Sequence, residues 1–167
     1  TIVSQPSNGT LTDPSAGVSV TYSPDANWSG TDTFTYKADD GNSVNNESNT
    51  ATVTITVDAV NDAPTTSAVS VSINEDTAQE IQLVGSDVDT GDLLTYSVVS
   101  DPSNGSLSLQ NGFTGRLTYT PTANYNGTDT FTFKVSDGTD NSNTSTVTIT
   151  VAAVNDAPTT EDVSASA

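Results

Sequence analysis

The chain has 167 residues, no cysteine and no histidine, which excludes disulfide staples, zinc sites of the usual ligand type and Cys/His or Ser/His catalytic pairs. Against 21 Asp and Glu stand only Lys37, Arg116 and Lys134, a formal net charge of -18. Such a surface cannot neutralise phosphates, so no nucleic acid partner is expected, and its self-repulsion opposes compaction unless a bound cation offsets it.

No stretch approaches the roughly 20 apolar residues of a membrane span, and no basic segment followed by an apolar run opens the chain. The expectation is a soluble piece of a longer protein without membrane insertion. Thr, Ser, Asn and Asp fill the polar positions and helix-forming runs are missing, so strands and loops are expected and helix is not.

From the N terminus, three blocks recur. Pro6-Ser7-Asn8-Gly9-Thr10-Leu11 returns as Pro102–Leu107, Tyr22–Phe34 as Tyr119–Phe131, and Thr52–Val57 with Ala59–Pro64 as Thr146–Val151 with Ala153–Pro158. The offsets are 96, 97 and 94 residues, so insertions and deletions fall in the loops. A period of about 95 residues is a whole sandwich domain and not a solenoid unit, which makes the chain beads on a string. The phase gives 65–158 as one complete repeat, 1–64 as a repeat lacking its first strands, and 159–167 as the first strand of a following repeat. An incomplete sandwich leaves a strand edge open, and strand exchange with another chain is a further expectation.

Alternation of apolar residues sets the strands of the complete repeat. In chain order they carry Val69, Val71 and Ile73; Ile81 and Leu83; Leu94, Tyr96 and Val98; Leu107 and Leu109; Leu117 and Tyr119; Phe131, Phe133 and Val135; Val147, Ile149 and Val151. Turn pairs such as Asn104-Gly105, Asn111-Gly112, Asn126-Gly127 and Asp137-Gly138 separate some of these runs, where glycine is expected to supply positive φ. The fold class is all-β: a seven-stranded Greek-key β-sandwich in tandem repeats. Lys37 and Lys134 fall out of phase with the inward aromatics and are expected to face solvent.

The loop Asp87-Val88-Asp89-Thr90-Gly91-Asp92 packs three carboxylates between two strands. Calcium takes six to eight oxygen ligands, and alternating acids in a loop aim several oxygens at one point, so Ca2+ is the cation expected in preference to magnesium. A solvated turn is the competing reading, since Asp and Gly populate turns anyway.

Asn74-Glu75-Asp76 before the second strand, the Asp-x-Asp-x-Gly loop, Phe133-Lys134-Val135-Ser136-Asp137-Gly138 and the closing Val-Asn-Asp-Ala-Pro occur in the order and rough spacing of the cadherin signature. The chain resembles the cadherin-like repeats of large bacterial surface adhesins. That resemblance implies an extracellular, cell-surface, non-enzymatic calcium-binding module. It places Asp87, Asp89 and Asp137, with Asp92 in the same loop, at the domain end facing Asn61 and Asp62. Glu75, with Asp76 beside it, is placed at the opposite end with Asn155 and Asp156. The family's acidic Leu-Asp-Arg-Glu segment is replaced here by Asn124 and Asn126. The implied partners are neighbouring repeats of the same chain and a polysaccharide or protein reached by a distal tip.

The alternative is a carbohydrate-binding module of a secreted multidomain protein, stacking sugars on Trp28 and Tyr125, which occupy equivalent slots. A bulky residue at one place in each repeat more economically plugs the end of the sandwich. Paired acids such as Glu75-Asp76 have no further support as a glycosidase couple, and no enzyme is expected.

Overall fold

Alternating side chains produce strands and, among the described residues, no helix. The computed structural model describes residues 1–12, 19–42 and 46–158; the strand expected at 159–167 lies outside them. Clustering divides the chain into two units, Thr1–Asn61 and Asp62–Ala167.

The first unit carries β1 (Ile2–Ser4), β2 (Gly9–Thr12), β3 (Thr21–Pro24), β4 (Gly30–Tyr36) and β5 (Ala51–Val57). They form a three-stranded sheet in the order β1-β4-β5 and a two-stranded ladder of β2 with β3. Phe34 is buried, whereas Val53, Ile55 and Val57 along β5 are only half-buried.

The second unit carries β6 (Thr65–Ser67), β7 (Val69–Asn74), β8 (Gln79–Gln82), β9 (Val84–Ser86), β10 (Thr95–Ser100), β11 (Gly105–Asn111), β12 (Arg116–Pro121), β13 (Gly127–Ser136) and β14 (Ser145–Ala152). One sheet runs β10-β13-β14-β7, a second β11-β12-β8, and β6 pairs β9 in a short ladder of its own. The pairings are antiparallel except β14 with β7, which is parallel. Inward residues of both sheets meet in one core of Ile73, Ile81, Leu83, Leu117, Tyr119, Phe131, Phe133, Val147, Ile149 and Val151. Each such side chain contributes about 1.5–3 kcal/mol on burial, and the two facing sheets make the unit a β-sandwich.

The seven apolar runs lie on or against strands, and two short segments join them. The opening strand breaks at Ala68, so β6 pairs with β9 while β7 pairs with β14; the next breaks at Leu83. The opening strand thus changes partners midway. Lys37 reaches Glu47 at 2.9 Å, and Lys134 is half-buried between the inward Phe133 and Val135. At Asn104-Gly105 the glycine serves space and not a positive φ: a Cβ on Gly105 would run into the Tyr119 ring and the Thr120 carbonyl oxygen.

Candidate metal centre

Two chain reversals bring acids together at one end of the second unit. Asp87 follows β9, and its Oδ1 accepts the Asp89 N–H at 3.0 Å, tightening the loop that Gly91 completes at φ +105° with nothing near its Cα. Asp137 follows β13, and its Oδ1 accepts the N–H groups of Thr139 and Asp140, each at 2.6 Å. These turns hold one carboxylate oxygen from each of Asp87, Asp92 and Asp137 within 4.8 Å of one another.

The second oxygen of Asp87, Oδ2, is shielded from solvent and accepts no hydrogen bond. Leaving a buried acceptor unsatisfied costs about 1–3 kcal/mol, and two further carboxylates beside it add like-charge repulsion. A hard divalent cation offsets both costs, and the all-oxygen donor set suits calcium. The residues therefore fit the ion.

Asp89 takes a different part, accepting the Asp62 N–H on Oδ2 at 2.8 Å. It ties the entering linker residue to the loop. Asn61 is the last residue of the first unit and is exposed.

The other candidate ligands lie elsewhere. Glu75 follows β7, is buried to 6% exposure, and its Oε1 accepts the Val154 N–H at 2.6 Å. Asp76 sits at φ 58°, and its Oδ1 accepts the Asn124 N–H at 3.0 Å. Asn155 donates its side-chain amide to the Asp156 carbonyl at 3.2 Å. Among the described residues no second group of three acids converges, so Glu75, Asp76, Asn155 and Asp156 bring a linker-holding arrangement but no acid triad.

One acid escaped the sequence reading. Asp129 is 4% exposed and accepts the N–H groups of Ser103 (3.0 Å), Asn104 (2.8 Å) and Thr130 (2.9 Å) and the Tyr119 hydroxyl (2.9 Å). Burial alone would raise its pKa, but the donated hydrogen bonds outweigh it and hold the carboxyl below its ordinary value. Burial, followed by the bond to Asp129, pushes the Tyr119 hydroxyl up. Asp32 repeats the arrangement with Ser7, Asn8, Thr33 and Tyr22. The signal was available, because Asp129 precedes Phe131 and Phe133 at the same period-2 phase and so points inward.

Trp28 and Tyr125 are half-buried. Tyr125 packs against the core and donates its hydroxyl to the Thr128 carbonyl at 2.8 Å, which accords with a plug at the end of the sandwich.

Two facing sheets, the strand that changes partners and the acid cluster beside the linker define a cadherin-like, immunoglobulin-like repeat. The chain belongs to the bacterial Ig domain family, whose model matches residues 1–56 and 61–150. Among solved structures, human CDH23 EC21-23 is 19% identical, covering 87% of this chain and 55% of its own, with a TM-score of 0.62. Human mucin-like protocadherin EC1-2 is 20% identical, covering 91% of this chain and 81% of its own, with a TM-score of 0.56. Both establish the fold. An endo-fucoidan hydrolase, MfFcnA4 from glycoside hydrolase family 107, is 26% identical over 93% of this chain with a TM-score of 0.45; the chain spans 23% of that enzyme's length. No curated protein sequence matches the chain significantly. Domains of these classes are typically extracellular, structural or adhesive, and non-enzymatic, and no helix among the described residues is long and apolar enough to cross a membrane.

Proposed function

We propose that the chain is a calcium-binding repeat of an extracellular bacterial adhesin stalk, with 65–158 as one complete repeat, 1–64 as part of another and 159–167 opening the next. The observation that carries the reading is the solvent-shielded, unpartnered Oδ2 of Asp87 beside the convergent oxygens of Asp92 and Asp137. Calcium supplies positive charge that satisfies the orphaned oxygen and cancels the repulsion. Asp87, Asp92 and Asp137 hold it; Asp89 fixes the Asp62 backbone beside them, so occupancy of the loop stiffens the linker entering the repeat. A series of such linkers converts a flexible string into a rod that projects a distal adhesive tip.

The test is thermal unfolding of the whole chain in calcium, in magnesium and in EDTA, repeated on Asp87→Asn. The expected result is a midpoint that climbs with calcium, far less with magnesium, and hardly at all in the variant. An unchanged midpoint in calcium reduces the acids to a solvated turn and moves the proposal to a carbohydrate-binding module.

A further inference from the structure

The two units present the same sheet with different edges. In the second unit β14 is paired on both sides, antiparallel with β13 and parallel with β7, in the register Val147↔Val69, Ile149↔Val71 and Val151↔Ile73. In the first unit the equivalent strand β5 pairs only with β4 among the described residues. The consequence is visible in burial: Val147, Ile149 and Val151 are 0%, 0% and 3% exposed, whereas their counterparts Val53, Ile55 and Val57 are half-buried.

A second feature marks the same edge as a strand receptor. In the complete repeat, Asn143 clasps the opening strand: its Oδ1 accepts the Thr66 N–H at 3.0 Å and its Nδ2 donates to the Thr66 carbonyl at 3.1 Å. The Thr66 hydroxyl donates to the Asn143 carbonyl at 2.9 Å. Asn49 is the counterpart of Asn143 and is carried by the same local structure. Ser48 N–H donates to the Ala38 carbonyl and its hydroxyl accepts the Ala38 N–H, as Ser142 does with Val135. With no strand to clasp among the described residues, the Asn49 amide turns back to the Thr50 carbonyl at 3.4 Å.

A segment with the required pattern ends the chain. Residues 159–167, Thr-Thr-Glu-Asp-Val-Ser-Ala-Ser-Ala, repeat 65–73, Thr-Thr-Ser-Ala-Val-Ser-Val-Ser-Ile, with Thr160 in the place of Thr66 and Val163 in the place of Val69. The corresponding edge in its own unit is already filled by β7. We propose that residues 159–167 of one copy add in parallel to the β5 edge of a second copy, in the register Val163 to Val53, Ala165 to Ile55 and Ala167 to Val57, with Asn49 clasping Thr160. Main-chain ladder bonds supply affinity, and the alternate apolar side chains together with the amide clasp set register. Because donor and acceptor lie on different surfaces, the contact is head-to-tail and links copies into open chains. A longer chain with the same pattern ahead of Thr1 would fill the edge itself and compete with the tail.

The test is sedimentation velocity of the 167-residue chain over a concentration series in EDTA, which makes the result independent of calcium. It is run beside a chain ending at Pro158, Val163→Pro and Asn49→Ala. The parent is expected to gain mass with concentration, and the chain ending at Pro158 and Val163→Pro to stay monomeric, because proline removes a ladder donor. Asn49→Ala is expected to associate about tenfold more weakly, the order of magnitude of one or two lost hydrogen bonds. A 159–167 peptide should return the parent to monomer. Association that survives loss of 159–167, or an Asn49→Ala chain that associates like the parent, overturns the proposal. So does a parent that stays monomeric throughout, including one whose β5 amides are protected from hydrogen exchange by its own tail.

Discussion

The Tyr119 hydroxyl lies 2.9 Å from Asp129 Oδ2, and the same pair recurs in the first unit as Tyr22 and Asp32 at 3.1 Å. The carboxylate bolts the Pro-Ser-Asn-Gly turn to β13, while the ring fills the space over Gly105. Asp129→Ala orphans three N–H groups and a hydroxyl in a nearly solvent-free place, a cost of about 3–5 kcal/mol. Tyr119→Phe keeps the ring and removes one donor, costing about 1–2 kcal/mol. Urea unfolding should rank the two in that order; equal or negligible losses would mean that the turn is held by the sheet and not by the latch.

The same pair predicts how stability follows pH. Asp129 is depressed in the folded chain, so its contribution is complete above the ordinary carboxylate value of about 4 and is lost as pH falls through the lower folded-state value. Tyr119 is raised, so its contribution is complete below the ordinary tyrosine value of about 10 and is lost as pH rises beyond it. Urea midpoints across pH should fall on both limbs, with Asp129→Asn flattening the acid limb and Tyr119→Phe the alkaline one.

Gly105 is tested by adding a single methyl group. A Cβ there meets the Tyr119 ring and the Thr120 carbonyl oxygen, and at Gly9 its counterpart would lie 2.6 Å from Tyr22 and from the Ser23 carbonyl oxygen. Gly105→Ala should destabilise by about 1–3 kcal/mol through overpacking. The paired change Gly105→Ala with Tyr119→Phe should recover little, because the ring and not the hydroxyl is the obstacle; substantial recovery would show that the hydroxyl bond sets the ring's position.

Strands with large apolar residues at every second position were legible from the sequence, because burial in a two-sheet core demands that period. The segments Thr65–Ser67 and Val84–Ser86 were not, since their ladder is held by Thr66, Asn143 and Ser86 with little apolar alternation to betray it. Asp129 was hidden for a related reason: a charged residue at an inward phase reads as the end of a strand unless donors wait for it. The Asp87 loop and Asp137 were legible as candidate ligands from chemistry and spacing. Which acids converge was not, because that depends on turns that swing Asp92 toward Asp137 while Asp89 turns to the Asp62 backbone.

That division of labour between neighbouring acids separates two variants. Asp92 contributes a carboxylate to the triad, so Asp92→Asn should relieve repulsion and leave metal-free stability unchanged or slightly raised, while weakening the calcium-dependent rise in midpoint. Asp89 accepts the Asp62 N–H, so Asp89→Ala should lower stability by about 1 kcal/mol or more even in EDTA. Melting curves of both variants with and without calcium resolve the roles. A calcium response lost in Asp89→Ala but intact in Asp92→Asn would move the ion from the Asp87, Asp92 and Asp137 oxygens toward the linker.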